Sequence, residues 1–543
     1  SQKAALLERV KAGVYREAER WALAGAQAKG IGWTALAGEE WISGPWAVLY
    51  ALNRYIDTLG EIAKGGAPEI DQRSIRERAG GQVVVDVFPA TLYDRLLLNG
   101  IRAEVWMKPA VTRASLLSTL ATWYREPQHA ARVALILGAG NISSIAPLDV
   151  LYKLVAEGAV CMLKMNPVNG YLGPIFEDAF EPLVHEGFLR FASGGADVGK
   201  YLCAHDGIDE IHITGSDKTF DAIVFGEGTD GADRKRRNDP VLKKPISSEL
   251  GNVSPTIVVP GPWSDADFRF QAENIVTQKM HNAGFNCIAS QVLVLPTEWD
   301  GTERLLGAVE SVLSQIEDRP AYYPGAKERR AHLAQKSADL REFGRSSEGF
   351  VPRTLLRVPS EANDDTFTYE AFGSVLTVVT LPGNMESFLK RAVAFANESL
   401  WGTLGANLIV HPKTMHESAQ AVDAAIAALR YGCIGVNAWT GVGFFISETT
   451  WGAFPGHTVD DIQSGTGVVH NSHLFGEAQK SVIFAPFAPF PRSVAGYGTT
   501  LLPKPPWFVT NTMSAHIGRA LCDFEANKNP LTLARVAALA MRG

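Results

Sequence analysis

The sequence predicts an α/β protein with two doubly wound, mostly parallel sheets, and three observations support this fold class. Short apolar strands alternate with helices between about residues 131 and 215. A second alternating series begins after Glu249, and several turns between a strand and the next helix contain glycine. This alternation is typical of parallel sheets covered by helices on both faces, in which ligands bind beyond the carboxyl ends of the strands.

The composition describes a soluble globular protein of 543 residues, 46% of them hydrophobic and 20% charged. The net charge of −7 argues against nucleic acid or an anionic membrane surface as the main partner. The five cysteines show no CxxC pair and no metal-ligand spacing, and no apolar run reaches the roughly 18 residues of a membrane span. The N-terminus lacks a signal-peptide pattern. We therefore expect a cytoplasmic enzyme with no membrane span and no metal.

The elements follow one another in a regular order. Residues 1–65 have apolar positions at helical spacing, and two β-segments are expected at about 80–110. The first α/β series contains the strands RVALIL, AVCMLKM, FLRFASG and EIHITGS. A basic stretch at 227–240 interrupts it and is predicted to be a solvated loop. The second series contains the strands PTIVV, QVLVLP, SVLTVVTL, GANLIVHP and CIGVNAW.

This order divides the chain into three parts. Residues 1–250 are expected to form an N-terminal helical region and a dinucleotide-binding domain, and residues 251–447 a catalytic thiol domain. Residues 448–543 are rich in Phe, Pro and Gly and are expected to form an arm for oligomerisation and a C-terminal extension. Simple wrapping over the surface would explain that last part equally well.

The most informative residue is Cys287, in the stretch MHNAGFNCIASQVLVLP. It follows a small-residue turn with Gly284, where backbone can approach closely, and it precedes an apolar strand. A thiol in such a place suits nucleophilic attack as a thiolate. A buried structural cysteine is the alternative.

Four further positions lie in turns that follow strands. Asn141, after the turn GAG, offers an amide donor for developing negative charge, and Lys164 offers a cation for a phosphate or a ribose hydroxyl. Gly215 and Ser216 stand at a helix N-terminus, which attracts phosphate. Glu249, between apolar segments, suits a general base with a raised pKa. A turn-forming Asn, an ordinary lysine, a helix cap and a structural carboxylate are the alternatives.

The order and spacing of these residues resemble the aldehyde dehydrogenase superfamily over about residues 130–440. The segment NAGFNC keeps the Asn, Gly and Cys of that family's nucleophile motif, and SSELGN and YEAFG are similar to its glutamate turn and its E-x-F-G segment. The later strands GANLIVHP and IGVNAW are also similar.

The resemblance implies oxidation of a small aldehyde with NAD or NADP through a thioester on cysteine. It implies these roles: Cys287 as nucleophile, Asn141 and the Cys287 N–H as oxyanion donors, Glu249 as the base for water, Lys164 for the adenosine ribose, Gly215 and Ser216 for the pyrophosphate, Glu370 for the nicotinamide ribose, and Phe372 beside it. A homodimer or homotetramer is also implied.

Three departures from the family pattern bear on these expectations. Phe285 replaces the usual glutamine after Gly284, and Asn252 replaces the second glycine of the glutamate turn. Pro167 replaces the carboxylate that commonly selects NAD, which leaves NAD and NADP both open.

Three alternatives stay open at the level of sequence. Coenzyme A could replace water as the acyl acceptor, or an acyl thioester could be reduced on the same fold. Cys287 could act with a histidine such as His281 in a hydrolase or acyltransferase without nucleotide. A non-catalytic, nucleotide-binding subunit is the third alternative, and the intact pair of Cys287 and Glu249 speaks against it.

Overall fold

Two large sheets organise the chain, which a computed structural model describes over residues 2–126, 128–362, 365–495 and 500–543. Both sheets are built mainly from parallel strands connected by helices, so the predicted α/β class is confirmed. Within the described ranges, no helix is long and apolar enough to cross a membrane.

The described strands are the following, in chain order: β1 (Ile75–Glu77), β2 (Val83–Phe88), β3 (Arg102–Met107), β4 (Val133–Leu137), β5 (Val160–Lys164), β6 (Leu189–Ala192), β7 (Glu210–Gly215), β8 (Ile246–Leu250), β9 (Ser254–Val258), β10 (Ser290–Pro296), β11 (Leu340–Phe343), β12 (Arg353–Arg357), β13 (Val375–Leu381), β14 (Gly405–Ile409), β15 (Cys433–Val436), β16 (Thr450–Trp451), β17 (Gly465–Thr466), β18 (Val469–His470) and β19 (Ala478–Phe484).

The described α-helices are the following: α1 (Gln2–Ala28), α2 (Ala37–Trp41), α3 (Ala47–Gly65), α4 (Leu92–Leu97), α5 (Ile145–Ala156), α6 (Gly173–Ala179), α7 (Glu181–His185), α8 (Ala196–Ala204), α9 (Asp217–Phe225), α10 (Gly228–Arg236), α11 (Asp265–Met280), α12 (Gly301–Gln315), α13 (Ala326–Ala334), α14 (Met385–Glu398), α15 (Pro412–Glu417), α16 (Ala419–Ala428), α17 (Gly441–Phe445), α18 (Arg492–Ala495), α19 (Ser514–Asn527) and α20 (Pro530–Ala540).

The smaller sheet has the strand order β17-β8-β7-β4-β5-β6. Its strands from β8 to β6 are parallel, and β17 is added antiparallel to β8. Because parallel strands end at the same edge, the residues at or just after the ends of β4, β5, β7 and β8 come together there. These residues are Asn141, Lys164, Ser216 and Glu249.

The larger sheet has the order β1-β2-β3-β19-β15-β14-β9-β10-β13-β12-β11. Its central strands, from β19 to β12, are parallel, while β1 to β3 and β11 are added antiparallel at the two edges. The β-segments expected at about 80–110 therefore extend this sheet through β19. The boundaries proposed at 250/251 and 447/448 stay a prediction.

Residues 2–65 are mostly helical, as predicted, with a turn at 29–36 between the first two helices; residue 1 lies outside the described residues. The helices α1, α2 and α3 are joined partly by a π-helical turn at Ile42–Trp46. Trp21 and Tyr55 are fully buried, and α1 lies against α3 and α6. Trp21 on α1 also donates a hydrogen bond to Ser143, which lies between β4 and α5. The N-terminal helices therefore lie beside the turn that follows β4.

The prediction of a loop at 227–240 is wrong, because this stretch contains the helix α10. Arg234 forms ion pairs with Asp230 and Asp239, and Arg236 pairs with Asp233. Ion pairs three or four residues apart stabilise an exposed helix. The helix lacks the apolar stripe on which helix prediction depends, and charge spacing alone did not reveal it.

Candidate active site

A strained turn after α11 places Cys287 at the entrance to β10. Asn282, Ala283 and Gly284 have φ values of 53°, 55° and 84°, three consecutive residues in the left-handed region. A Cβ on Gly284 would collide with the carbonyl group of Gly373, so this position requires glycine. The turn therefore brings the nucleophile segment against the E-x-F-G segment.

The Cys287 thiol donates a hydrogen bond to Glu249, with Sγ and Oε1 3.3 Å apart. Glu249 lies on β8 and is only 2% exposed. Burial, followed by the charge of Asp149, raises the pKa of Glu249 to about 8. Enclosure by the protein and the neighbouring carboxylate raise the pKa of the Cys287 thiol well above its usual range. Both groups therefore hold their protons at neutral pH.

A second carboxylate, Asp149, lies behind this pair. Thr214 is aligned with Glu249 in the pairing of β7 with β8, and its hydroxyl donates to Asp149 Oδ2 at 2.9 Å. The imidazole of His212 is 3.6 Å from the same oxygen. Sequence reasoning missed Asp149; the signal was an acidic residue inside the otherwise apolar start of α5.

Asn141 lies on the other side of Cys287 and is 6% exposed. Its amide Nδ2 donates to the carbonyl oxygen of Phe285 at 2.9 Å. A carboxamide has two N–H donors. The bond to Phe285 fixes the amide and leaves its second N–H available.

Cys287 and Asn141 both line a cleft of about 920 Å³ beside the smaller sheet. Lys164 also lines this cleft and is 8% exposed, and its ammonium group has no hydrogen-bond or ion-pair partner among the described residues. Burial lowers the pKa of Lys164, which the charge of Asp197 opposes. Gly215 and Ser216 line the cleft as well, but the Ser216 hydroxyl caps α9 by accepting from Thr219 N at 3.2 Å.

Glu370 and Phe372 form the wall of the cleft near Cys287. Glu370 Oε1 accepts from Asn252 N at 3.2 Å, and a Cβ on Gly251 would collide with the Glu370 carboxylate. Burial raises the pKa of Glu370 to about 8. Lys279, which the sequence did not reveal, is buried nearby, and burial lowers its pKa to about 7 although Glu370 opposes this effect.

The side chain of Phe285 lies among aromatic rings and not in either cavity that Cys287 lines. It packs in an aromatic cluster with ring-centroid distances of 5.0 Å to Tyr322, 5.7 Å to Tyr323 and 5.9 Å to Phe372. Phe285 lines neither the cleft nor the apolar pocket described below. Its departure from the family pattern is thus accommodated by packing.

Asn252, the second departure, connects backbone segments. Its Nδ2 donates to Ser254 Oγ and to Gly405 O, each at 2.8 Å. Asn252 is 1% exposed and lines neither cavity.

A small pocket of about 30 Å³ adjoins the cleft at Cys287. Cys287 and Asn141 line both cavities, so the thiol stands at their junction. The remaining wall of the pocket is mostly apolar and includes Ile142, Ile145, Ile288, Trp439, Phe444, Phe445 and Trp451.

His281 also lines the small pocket but does not pair with the thiol. Burial lowers the pKa of His281 to about 4, so the ring is neutral at pH 7. Its Nδ1 is 3.5 Å from Asn286 Nδ2, and its ring lies against Trp439 with centroids 4.9 Å apart. The cysteine–histidine pair that a nucleotide-independent hydrolase requires is therefore not formed in the described part of the chain.

The described residues contain no group of three or more histidine, cysteine, aspartate or glutamate side chains placed to hold a metal ion. The site contains Cys287, the acidic side chains of Glu249, Asp149 and Glu370, the Asn141 amide, and a cleft with the buried Lys164.

Comparison with known proteins decides the family. The sequence model of the aldehyde dehydrogenase family matches residues 133–446, more than half of the chain. The chain belongs to the aldehyde dehydrogenase family. The resemblance seen in the sequence motifs is thereby confirmed.

Curated relatives of this aldehyde dehydrogenase family member match it only in part. The aldehyde dehydrogenase LUC3 of a Fusarium species is 29% identical over 163 residues, which are 29% of this chain and 31% of LUC3. The geranial dehydrogenase of Castellaniella defragrans is 23% identical over 307 residues, 53% of this chain and 58% of that protein. The chain thus spans less than two thirds of the length of these relatives.

Solved structures of aldehyde dehydrogenases share the fold over most of the chain. A putative aldehyde dehydrogenase from Burkholderia cenocepacia superposes with a TM-score of 0.59 at 18% identity, covering 88% of this chain and 86% of that one. A mutant of aldehyde dehydrogenase C from Pseudomonas syringae, in a complex with NAD+ and octanal, gives 0.58 at 18% identity, with 90% and 84% covered. At this identity the likeness shows the fold.

Proposed function

We propose that the protein oxidises an uncharged, apolar aldehyde to a carboxylic acid with NAD or NADP as hydride acceptor. One observation supports this most directly. The Cys287 thiol stands where a 920 Å³ cleft meets a small apolar pocket, and its Sγ is 3.3 Å from the buried Glu249 carboxyl group. A dinucleotide on one side and an aldehyde on the other would thus both reach the sulfur.

The cleft suits a dinucleotide because it offers an unpartnered cation. Lys164 is buried in its wall and would bind a ribose hydroxyl or a phosphate. Gly215 and Ser216 begin α9 and would lie along the pyrophosphate, and Glu370 would accept hydrogen bonds from the nicotinamide ribose, beside Phe372. When bound, the cofactor supplies an acceptor for hydride.

Activation of the thiol follows from the contact between Cys287 and Glu249. In the fraction of molecules in which Glu249 is ionised, its carboxylate takes the thiol proton, and the thiolate forms a bond to the aldehyde carbon. The free N–H of Asn141 and the backbone N–H of Cys287 stabilise the oxyanion. With a bound cofactor to take the hydride, the same carbon would be left as a thioester on Cys287.

Hydrolysis completes the reaction. After the thiol proton has passed from Glu249 to solvent, Glu249 accepts a proton from a water molecule and the hydroxide attacks the thioester carbon. The C–S bond then breaks, which releases the carboxylic acid and the Cys287 thiolate, and Glu249 returns its proton to the thiolate. Transfer to coenzyme A in place of water is the alternative that the departures at Phe285 and Asn252 keep open. Neither side chain lines the cleft or the pocket, and the retained Glu249 beside the thiol supports hydrolysis.

The pocket wall supports the choice of substrate class. Apart from Cys287 and the neutral His281, the pocket has no ionisable side chain among its lining residues. Burial of a charged substrate group without a partner is costly. Aldehydes that carry a carboxylate or an ammonium group are therefore expected to be poor substrates.

A cytoplasmic homodimer or homotetramer remains part of the proposal. Large apolar side chains are strongly exposed on α4 and α20, which contact each other. They are Leu92 and Leu96 on α4, and Leu531 on α20, at 69%, 56% and 79% exposure. Exposed apolar groups of this kind favour association between subunits, and light scattering of the purified protein measures it.

The test is the increase in absorbance at 340 nm with a panel of apolar and charged aldehydes. Each aldehyde is combined with NAD+ or NADP+, with and without coenzyme A. We expect turnover of apolar aldehydes without coenzyme A and its loss in Cys287→Ser. Cys522→Ala, a change at a buried cysteine in α19, is the matched control and should keep activity. Turnover in no combination would refute the proposal, and turnover only with coenzyme A would establish the acylating alternative.

A further inference from the structure

We infer that the N-terminal helices supply positioning residues for the active site, with Lys29 and Glu39 holding Asn141 and the turn before Cys287 in place. The inference rests on the proposed function of Asn141. It concerns a part of the chain that lies outside the family match at 133–446.

Lys29 follows α1 and is 6% exposed. Its Nζ donates three hydrogen bonds: to Glu40 Oε1 at 2.7 Å, to Asn141 O at 3.1 Å and to Asn282 Oδ1 at 3.0 Å. An ammonium group has three donors. All of them are used here, and two bind residues of the proposed catalytic region.

Glu39, on α2, binds the same turn from a second direction. Its Oε2 accepts from Asn282 N at 2.8 Å and from Arg319 Nη1 at 2.7 Å. Although burial acts to raise it, the pKa of Glu39 is lowered to about 2, chiefly by Arg319. Glu39 therefore carries its charge at neutral pH.

Asn282 links these contacts to the oxyanion donor. Its Nδ2 donates to Asn141 O at 3.2 Å and to Phe285 O at 3.1 Å, and Phe285 O also accepts from Asn141 Nδ2. The Tyr322 hydroxyl lies 3.1 Å from Asn141 O and 3.0 Å from Asn282 Oδ1, and its single hydrogen is shared between these two acceptors. Lys29 and Tyr322 thus share two acceptors, and together they fix both the backbone of Asn141 and the left-handed turn at Asn282.

These charges are not needed to attach α1 to the protein. Trp21 on the same helix is fully buried and donates to Ser143 Oγ at 2.8 Å, and Arg20 pairs with Asp178 at 2.6 Å. Apolar residues of similar volume can replace buried ion pairs with little loss of stability. The placement of the Lys29 donors on Asn141 and Asn282 therefore points to positioning rather than attachment.

The test is a double-mutant cycle with Lys29→Met and Asn141→Ala. We expect Lys29→Met to lower kcat by roughly 10-fold or more, since small misplacement of a catalytic group costs up to about 100-fold. KM for the cofactor should stay within about 2-fold. In the Asn141→Ala background the same change should cost less than about 2-fold, because residues that act through one another are not additive.

Lys480→Met is the matched control. Lys480 is 1% exposed, and its Nζ also donates to three backbone carbonyls, those of Ile426, Ala427 and Leu429, but it lines neither cavity. The Lys480→Met variant should keep the kcat of the wild type, while its free energy of unfolding falls by an amount comparable to that of Lys29→Met. An equal fall in kcat for Lys29→Met in both Asn141 backgrounds would overturn the inference.

Two further measurements cover the remaining cases. If Lys29→Met does not fold, Tyr322→Phe removes one donor to the same two acceptors and keeps the ring; unchanged kcat in that variant would overturn the inference. If the wild type oxidises no aldehyde, the proposed function fails by itself. Mass spectrometry of the alkylation of Cys287 by iodoacetamide then tests the turn alone. We expect the alkylation rate to change in Lys29→Met and not in Lys480→Met. Equal rates in Lys29→Met and the wild type would refute the positioning role.

Discussion

Replacing Glu249 with glutamine should remove a pH-dependent step from catalysis. With a pKa of about 8, the carboxyl group is ionised in roughly a tenth of the molecules at pH 7, in half at pH 8 and in roughly nine tenths at pH 9. If the carboxylate is the base, kcat/KM of the wild type should rise about 10-fold between pH 7 and pH 9. Glu249→Gln should lack this rise and lose roughly 100- to 10,000-fold in rate.

The same pKa also links Glu249 to stability. The ordinary value for glutamate is 4.5 and the value in the folded protein is about 8, so the folded state keeps a proton that the unfolded state releases. Unfolding therefore releases a proton between about pH 4.5 and pH 8, and the free energy of unfolding falls as pH rises through this range. The contribution is fully present below the unfolded pKa. At 1.36 kcal/mol per pH unit, it amounts to about 5 kcal/mol at most.

Stopped-flow absorbance at 340 nm and urea unfolding at pH 5, 7 and 8.5 measure the two effects. Glu249→Gln should become more stable relative to the wild type as pH rises. Because Cys287 and Glu249 titrate as a pair, unfolding of Cys287→Ala controls for the thiol and should keep most of the slope. The reasoning would be refuted if the rise of kcat/KM between pH 7 and pH 9 persisted unchanged in Glu249→Gln. It would also be refuted if the difference in free energy of unfolding between Glu249→Gln and the wild type were constant with pH.

Three further substitutions test other parts of the site. Asn141→Ala should lower kcat by about 100- to 1,000-fold, with unchanged cofactor affinity in a fluorescence titration. Lys164→Met should weaken cofactor binding in the same titration by roughly 10-fold or more, the value of a hydrogen bond to a charged group, and leave kcat at saturation unchanged. Phe285→Ala should lower the free energy of unfolding in urea by about 3 to 5 kcal/mol, whereas Phe285→Leu should cost less because it keeps most of the volume.

The part of the fold and site that follows strand order could be predicted from the sequence. Asn141, Lys164, Ser216 and Glu249 lie at or just after the ends of neighbouring parallel strands. Parallel pairing sends all these ends to one edge, so local patterns sufficed to bring them together. The close approach of backbone expected at Gly284 could be predicted too, because only glycine leaves room for it. Gly284 has a left-handed φ of 84°, and the Gly373 carbonyl lies where a Cβ would be.

The contacts between distant segments could not be predicted. Lys29 and Asn282 are 253 positions apart in the chain, and Glu39 and Arg319 are 280 apart. No local pattern distinguishes such residues from surface charges until the helices are packed. The orientation of Phe285 was hidden for a similar reason, since its aromatic partners come from the segments around residues 322 and 372.

Two buried carboxylates near Cys287 show how partners, rather than burial, decide what an acidic side chain does here. Glu39 is 5% exposed and Glu249 is 2% exposed, so desolvation acts on both. Glu39 faces the Arg319 guanidinium and has a pKa of about 2, whereas Glu249 faces a thiol and another carboxylate and has a pKa of about 8. A carboxylate held permanently charged can fix a turn but cannot exchange a proton near pH 7. In the proposed mechanism, the paired acid therefore lies where geometry is held and the unpaired acid where a proton moves.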